Sequence, residues 1–205
     1  MKFTNPLNDI LGNKSNINTL RFLIRNNVEQ SGREIARSTK LAQRRAHQVL
    51  TTLWQNGIVK MRRAGRSKLY KINPENALVK EALMPLFTVE SRLLKNLGKQ
   101  LHSKIGQDAL SIIIFGSIAS GQERANSDID VLIIAKNTAN IGKIETIADA
   151  LSMKFSRIYG NFLSSIIIKE KDFKNRYLRG DKFIKNIIDG ENVISGKYFL
   201  ELIHG

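Results

Sequence analysis

Two short apolar runs, Ser111-Ile112-Ile113-Ile114-Phe115 and Val131-Leu132-Ile133-Ile134-Ala135, bracket a polar stretch that opens with Gly116-Ser117 and closes with Ser127-Asp128-Ile129-Asp130. Runs of β-branched and aromatic residues at this length read as buried strands, so both polar motifs are fixed at strand edges. Gly116 leaves room for a close backbone approach, and Ser117 is expected to cap a helix starting at Ile118. Backbone N–H groups and a hydroxyl then face whatever occupies the crevice, which makes an anion site. Asp128 and Asp130 alternate with Ile129 at strand spacing, turning both carboxylates to one face while Ile129 anchors in the core. Paired carboxylates on one face suit Mg²⁺, a hard cation whose coordination substrate phosphates complete.

A Gly-Ser turn followed at this separation by Asp-x-Asp, each against an apolar strand, resembles the nucleotidyltransferase family related to DNA polymerase β, in the small form seen in minimal nucleotidyltransferases and antitoxins. The resemblance is carried by Gly116, Ser117, Arg124, Ser127, Asp128 and Asp130 with their flanking strands. It implies that Asp128 and Asp130 are catalytic and hold Mg²⁺ (or Mn²⁺). It further implies that Gly116, Ser117, Arg124 and Ser127 bind the nucleotide, with an NTP as substrate. Active members also place a third carboxylate on the strand after the following helix. Here that strand, Phe162 to Ile168, offers only Ser164 and Ser165, and Glu170 and Asp172 come after it. Loss of this acid weakens transfer more than nucleotide binding, because it helps deprotonate the acceptor. Two readings follow. One is an Mg²⁺-dependent nucleotidyltransferase moving an NMP from an NTP to an acceptor left open, a partner protein among the candidates. The other is a catalytically degenerate DNA-binding transcriptional regulator that uses this domain for nucleotide sensing or dimerisation.

Charge divides the chain. The net +15 is concentrated in residues 1–80, which carry 16 Lys and Arg against 4 Asp and Glu, whereas residues 81–205 carry 17 against 14. So local an excess points to a polyanion, here duplex DNA. The same residues carry a matching pattern. Met1 to Asn16 reads as a polar arm or a short helix around Leu7 to Leu11. Leu20, Leu23, Ile24 and Val28 follow helical spacing behind a cap at Asn16 or Asn18, and Ser31 with Glu34 forms a capping box before a second helix. Ala42 to Gln55 forms a third helix with Ala46, Val49, Leu50 and Leu53 inward, and Trp54 is expected in the core. A hairpin follows over Ile58 to Ile72 with a basic tip at Gly65-Arg66. This order resembles winged helix-turn-helix transcriptional regulators over residues 17–73. The resemblance implies DNA contacts from Gln43, Arg44, Arg45 and Gln48 on the recognition helix and from Arg62, Arg63, Arg66 and Lys68 on the wing.

The expected architecture is therefore α/β (α+β): a winged helix-turn-helix domain over residues 1–75, a helical linker over 76–106, and a small mixed-sheet nucleotidyltransferase-fold domain over 107–205. Pro85 is expected to separate a short helix from a longer one. The stripe Val89, Leu93, Leu94, Leu97, Leu101 and Ile105 must bury against something, and a homodimer reading paired DNA half-sites is the expectation. With no cysteine, no disulfide or thiolate metal site can form, and a cytoplasmic setting is expected. The N-terminus does not read as a signal peptide, and no apolar run approaches the roughly 20 residues that span a bilayer, so no membrane partner is expected.

Overall fold

The computed structural model of the protein describes residues 2–190 and 192–204. Met1 of the leading arm and Gly205 of the last domain lie outside the described residues. The chain divides into two compact units between Ser91 and Arg92, within the stretch 76–106 expected as a helical linker.

In the first unit, helix α1 (Pro6–Leu11) precedes α2 (Lys14–Asn26). α2 begins earlier than expected because Asn13, not Asn16 or Asn18, caps it by accepting the Asn16 N–H at 3.0 Å. Asn16 is instead buried and donates its amide to the Asp9 carbonyl at 2.8 Å. Val28 falls outside the helix, which ends where Asn27 turns left-handed at φ 47°. A two-residue strand β1 (Gln30–Ser31) leads into α3 (Gly32–Ser38), opened by the expected capping box: Ser31 N–H donates to Glu34 at 2.8 Å, and Glu34 N–H donates to the Ser31 hydroxyl at 3.3 Å. α4 (Gln43–Gln55) and the hairpin β2 (Val59–Ala64) and β3 (Ser67–Ile72) complete a three-stranded sheet in the order β1-β3-β2. Leu20, Leu23, Ile35, Leu50, Leu53 and Ile72 form the buried core. Helices α2, α3 and α4 followed by the β2–β3 hairpin are a winged helix-turn-helix fold. Trp54 corrects the sequence expectation. Ala46, Val49, Leu50 and Leu53 already occupy the inner face of α4, so the indole is turned out and is 46% exposed.

Pro85 does not break the helical connection. A π-helical turn at Val79–Leu83 runs directly into α5 (Met84–Ile105), and Pro85 sits in the first turn of α5. The missing proline N–H is tolerated at such a junction, where the ordinary helical ladder is already interrupted.

The second unit is built on a four-stranded sheet in the order β6-β5-β4-β7, from β4 (Ala109–Ile114), β5 (Ile129–Ala135), β6 (Leu163–Lys169) and β7 (Val193–Gly196). β4 pairs antiparallel with β5 and β7, while β5 and β6 are parallel and joined by helix α7 (Ile141–Tyr159). One sheet face, with Val131 and Ile133, packs on α7 and on Leu97, Leu101 and Ile105 from the end of α5. The other, with Leu132 and Ile134, packs on α8 (Glu170–Leu178), α9 (Lys182–Asp189) and α10 (Phe199–His204). α8 starts at Glu170, directly after β6. The stripe on α5 is thus divided: its last three residues are core, and Val89, Leu93 and Leu94 stay exposed. Among the described residues no helix is long and apolar enough to cross a membrane.

Candidate functional site

The short helix α6 (Gly116–Ala119) follows β4 directly, and Asp128 leads into β5. Phe115 donates its N–H to the Asp130 carbonyl at 3.0 Å, so the end of β4 and the start of β5 hold the two motifs side by side. Gly116 is left-handed at φ 72°. A Cβ there would overlap the Asp130 carboxylate oxygen and lie 3.2 Å from its Cγ, so only glycine fits. Ser117 corrects the sequence expectation. Phe115, not Ser117, occupies the cap position of α6, and Ser117 lies one residue inside the helix because the turn tightens at Gly116 itself.

The loop between the motifs is closed by Ser127, whose hydroxyl accepts the Arg124 N–H at 2.9 Å. Asn161, which sequence reasoning missed, ties it down by donating to the carbonyls of Ala125 at 2.9 Å and Ser127 at 2.8 Å. The only sequence signal for Asn161 is its place after Gly160, where α7 ends. Arg124 and Asp128 are exposed, and Asp130 is half-buried. Burial pushes the Asp130 carboxyl above the usual range; a bond from the Ser164 hydroxyl opposes this, and the Asp128 charge adds to it.

Strand register decides where a third acid could stand. Asp130 pairs with Ser164 and Val131 with Ser165, so Ser164 shares the Asp130 face and Ser165 faces the α7 side. Glu170 follows Lys169, which pairs with Ala135 at the far end of β5. Five residues of strand, roughly 16 Å, separate that end from Asp130. Glu170 is occupied there by Lys174 at 3.0 Å. Neither it nor Asp172 is near the aspartate pair. Among the described residues no group of three or more His, Cys, Asp and Glu gathers as a metal site. Two hard carboxylates beside a glycine that keeps the space clear are a donor set suited to Mg²⁺, with phosphates and water completing the shell.

In the first unit, Gln43, Arg66 and Lys68 line an open groove of about 490 Å³ together with Arg33 and His47. Arg33 and His47 were not singled out in the sequence, although the four-residue spacing from Gln43 to His47 places both on one helix face. Arg45 and Gln48 lie apart from this groove, lining a separate recess with Asn8, Asp9 and Asn13. Arg44 is exposed. Arg62 is held by Glu29, with Nε to Oε1 at 2.9 Å. Arg63 stands directly across from Lys68 on the wing. Like charges so placed repel, and an anion between them removes the penalty.

The model of the family described as "Polymerase beta, Nucleotidyltransferase" matches residues 99–197. A "putative protein adenylyltransferase" of Methanocaldococcus jannaschii is 30% identical over 106 residues, covering 51% of this chain and 70% of that one. A solution structure of a homodimeric winged helix-turn-helix DNA-binding domain from Mycobacterium bovis is 24% identical, with a TM-score of 0.36, covering 43% of this chain and 79% of that one. A crystal structure of the corresponding Mycobacterium bovis fragment is also 24% identical, with a TM-score of 0.34, covering 42% of this chain and 84% of that one. The winged-helix assignment stands on element order and strand pairing rather than on these two likenesses. The second unit carries the Gly-Ser turn, the Asp-x-Asp strand and the family match together, and the chain belongs to the polymerase beta nucleotidyltransferase family.

Proposed function

We propose that the second unit transfers a nucleoside monophosphate, most simply AMP, from an NTP to a protein acceptor, and that the winged helix-turn-helix unit binds duplex DNA. The observation that carries the enzymatic reading is the approach of Gly116 to Asp130, which sets the Gly-Ser turn directly against one of the two aspartates. The archaeal relative's name supports adenylyl transfer and a protein acceptor. Gly116 and Ser117 receive the phosphates, Arg124 adds positive charge, and Ser127 holds the loop that carries Arg124. Asp128 and Asp130 are the residues that would hold Mg²⁺ or Mn²⁺, which when bound neutralises the triphosphate and polarises the reacting phosphorus. In the reaction an acceptor oxygen attacks the α-phosphorus and forms a new P–O bond. The bond from the α-phosphorus to the bridging oxygen breaks, and pyrophosphate leaves with the electron pair. The acceptor proton passes to solvent, since Ser164 stands where a carboxylate would take it.

That serine supports a second reading, in which the site binds nucleotide and transfers it slowly, so that the chain acts as a nucleotide-responsive DNA-binding regulator. Radiolabelled NTPs supplied with Mg²⁺ or Mn²⁺ and candidate protein acceptors separate the two: label in protein supports transfer, and saturable binding without label supports sensing. On the DNA side, Gln43, Arg66, Lys68, Arg33 and His47 share one groove. A homodimer through the exposed Val89, Leu93 and Leu94 stripe is part of this reading. A monomer mass near 23.2 kDa by light scattering would remove it.

A further inference from the structure

We propose that the outward edge of β6 is a docking strand for an extended segment of the acceptor protein, an inference that rests on the protein-acceptor reading above. β6 lies at the end of its sheet and is hydrogen-bonded on one side only, to β5. The ladder fixes which groups face outward. Ile129 donates its N–H to the Phe162 carbonyl at 2.7 Å, so the even-numbered residues of this strand turn their main chain to β5 and the odd-numbered ones turn it away. Leu163 is already served, because the Ser152 hydroxyl accepts its N–H at 2.9 Å and donates to its carbonyl at 3.1 Å. Lys169 closes the other end as the cap residue of α8. Between them the outward N–H and C=O groups of Ser165 and Ile167 have no hydrogen-bond partner among the described residues.

Proteins blunt such edges with proline, bulges or charge along the strand. β6 has no proline and no bulge, and its one charge, Lys169, stands at its very end: Leu-Ser-Ser-Ile-Ile-Ile-Lys pairs with β5 through seven successive residues without a register shift. β4, by contrast, is irregular in both of its pairings. Beside the edge, Phe162 is 51% and Ile166 36% exposed. Ile166 pairs with Leu132, which puts it on the sheet face of Ser164 and Asp130. A strand added to β6 would make main-chain bonds to Ser165 and Ile167 and set alternate side chains against this apolar shelf. Its side chains on that face would stand about 10 Å from β5, two strand spacings away. The edge therefore delivers a polypeptide alongside the aspartate pair, which a loosely held acceptor would lack.

Amide hydrogen exchange on the full chain tests this, with a short synthetic peptide alternating valine with serine, threonine and tyrosine as the probe. At millimolar peptide, exchange at Ser165 and Ile167 slows about tenfold or more. The same peptide N-methylated at alternate residues has no effect. Ser165→Pro removes one outward N–H and leaves the β5 ladder intact, so it retains ATP binding and weakens peptide protection at Ile167 about tenfold. No protection at either amide, equal protection by the N-methylated peptide, or equal binding to Ser165→Pro overturns the proposal. So does a wild-type dimer that Ser165→Pro converts to monomer, because the edge then belongs to a second copy. If ATP with Mg²⁺ fails to bind while the peptide protects, the docking edge stands and the transfer reading fails. If AMP reaches the peptide equally in wild type and Ser165→Pro, transfer stands and the edge does not.

Discussion

Gly116→Ala probes the contact between the Gly-Ser turn and Asp130, the proposed meeting point of phosphate and metal, and Gly121→Ala supplies its control. Both glycines are left-handed, at φ 72° and 65°. An alanine in that region costs about 1–2 kcal/mol at either position. The surroundings differ: a Cβ at Gly121 meets nothing within 4 Å, whereas one at Gly116 overlaps the Asp130 carboxylate oxygen. Asp130 cannot absorb this freely, since it is half-buried beside Ser164, its partner across the ladder. The carboxylate must move by the better part of an ångström, a displacement of the order that costs about a hundredfold where alignment matters. Gly121→Ala is expected to lower Tm by several degrees and leave Mg²⁺-dependent ATP binding within about threefold of wild type. Gly116→Ala is expected to match or exceed that Tm loss and to lose Mg²⁺-dependent binding by at least about tenfold. Calorimetric titration with ATP, with and without Mg²⁺, reads the second effect apart from the first. Equal nucleotide affinity in the two variants would show that Asp130 does not face the phosphate turn in a functional sense, and the site would have to be sought elsewhere.

What the sequence made legible was local. The Ser31–Glu34 capping box and the hairpin around Gly65 are each written within a few residues, and each forms as read, whereas of the Asp128–Asp130 alternation only Asp130 lies in β5. What escaped depended on partners distant in sequence. Trp54 looks like core by chemistry, and only the packing of α4 on α2 and α3 shows that four smaller residues fill that face. Pro85 reads as a break until the preceding π turn absorbs its missing donor. The choice between Ser164 and Ser165 turns wholly on register, because a slip of one residue exchanges the two faces of a strand. No property of the segment Leu163 to Lys169 states which of its residues will stand beside Asp130. The parallel pairing with β5 decides it, and with it where a missing acid would have to be restored.

Three further outcomes are expected. Arg21 bonds Glu90 through two contacts, at 2.6 and 2.8 Å, and holds its carboxyl below the usual range. A lowered folded value gives stability that is fully present above the ordinary glutamate value near 4.3 and is lost as pH falls from there through the lowered one. Because the pair is partly exposed, Glu90→Gln costs only about 0.5–1 kcal/mol at pH 7, and the Tm gap from wild type closes on acidification; a gap that persists at low pH refutes the assignment. Glu29→Gln frees Arg62, so duplex DNA binding strengthens severalfold with a salt slope steeper by about one charge, whereas replacing Arg66 and Lys68 by alanine makes it shallower by about two; gel shifts at several salt concentrations read both, and unchanged slopes would place the DNA contacts elsewhere. The last concerns Ser164→Asp and Ser165→Asp, which differ only in the face they meet. A carboxylate at position 164 stands beside Asp130, already disfavoured as an anion, so without metal the variant loses stability through like-charge repulsion. Mg²⁺ or Mn²⁺ relieves that repulsion, so the Tm rise on adding metal exceeds that of wild type, and transfer to an acceptor speeds up. A carboxylate at position 165 pairs instead with fully buried Val131 and meets the α7 face, where the charge has no partner and metal brings nothing back. Thermal melts of both variants with and without metal decide the matter: a metal-dependent gain at 165 and none at 164 would mean that the β5–β6 register, and the site built on it, is wrong.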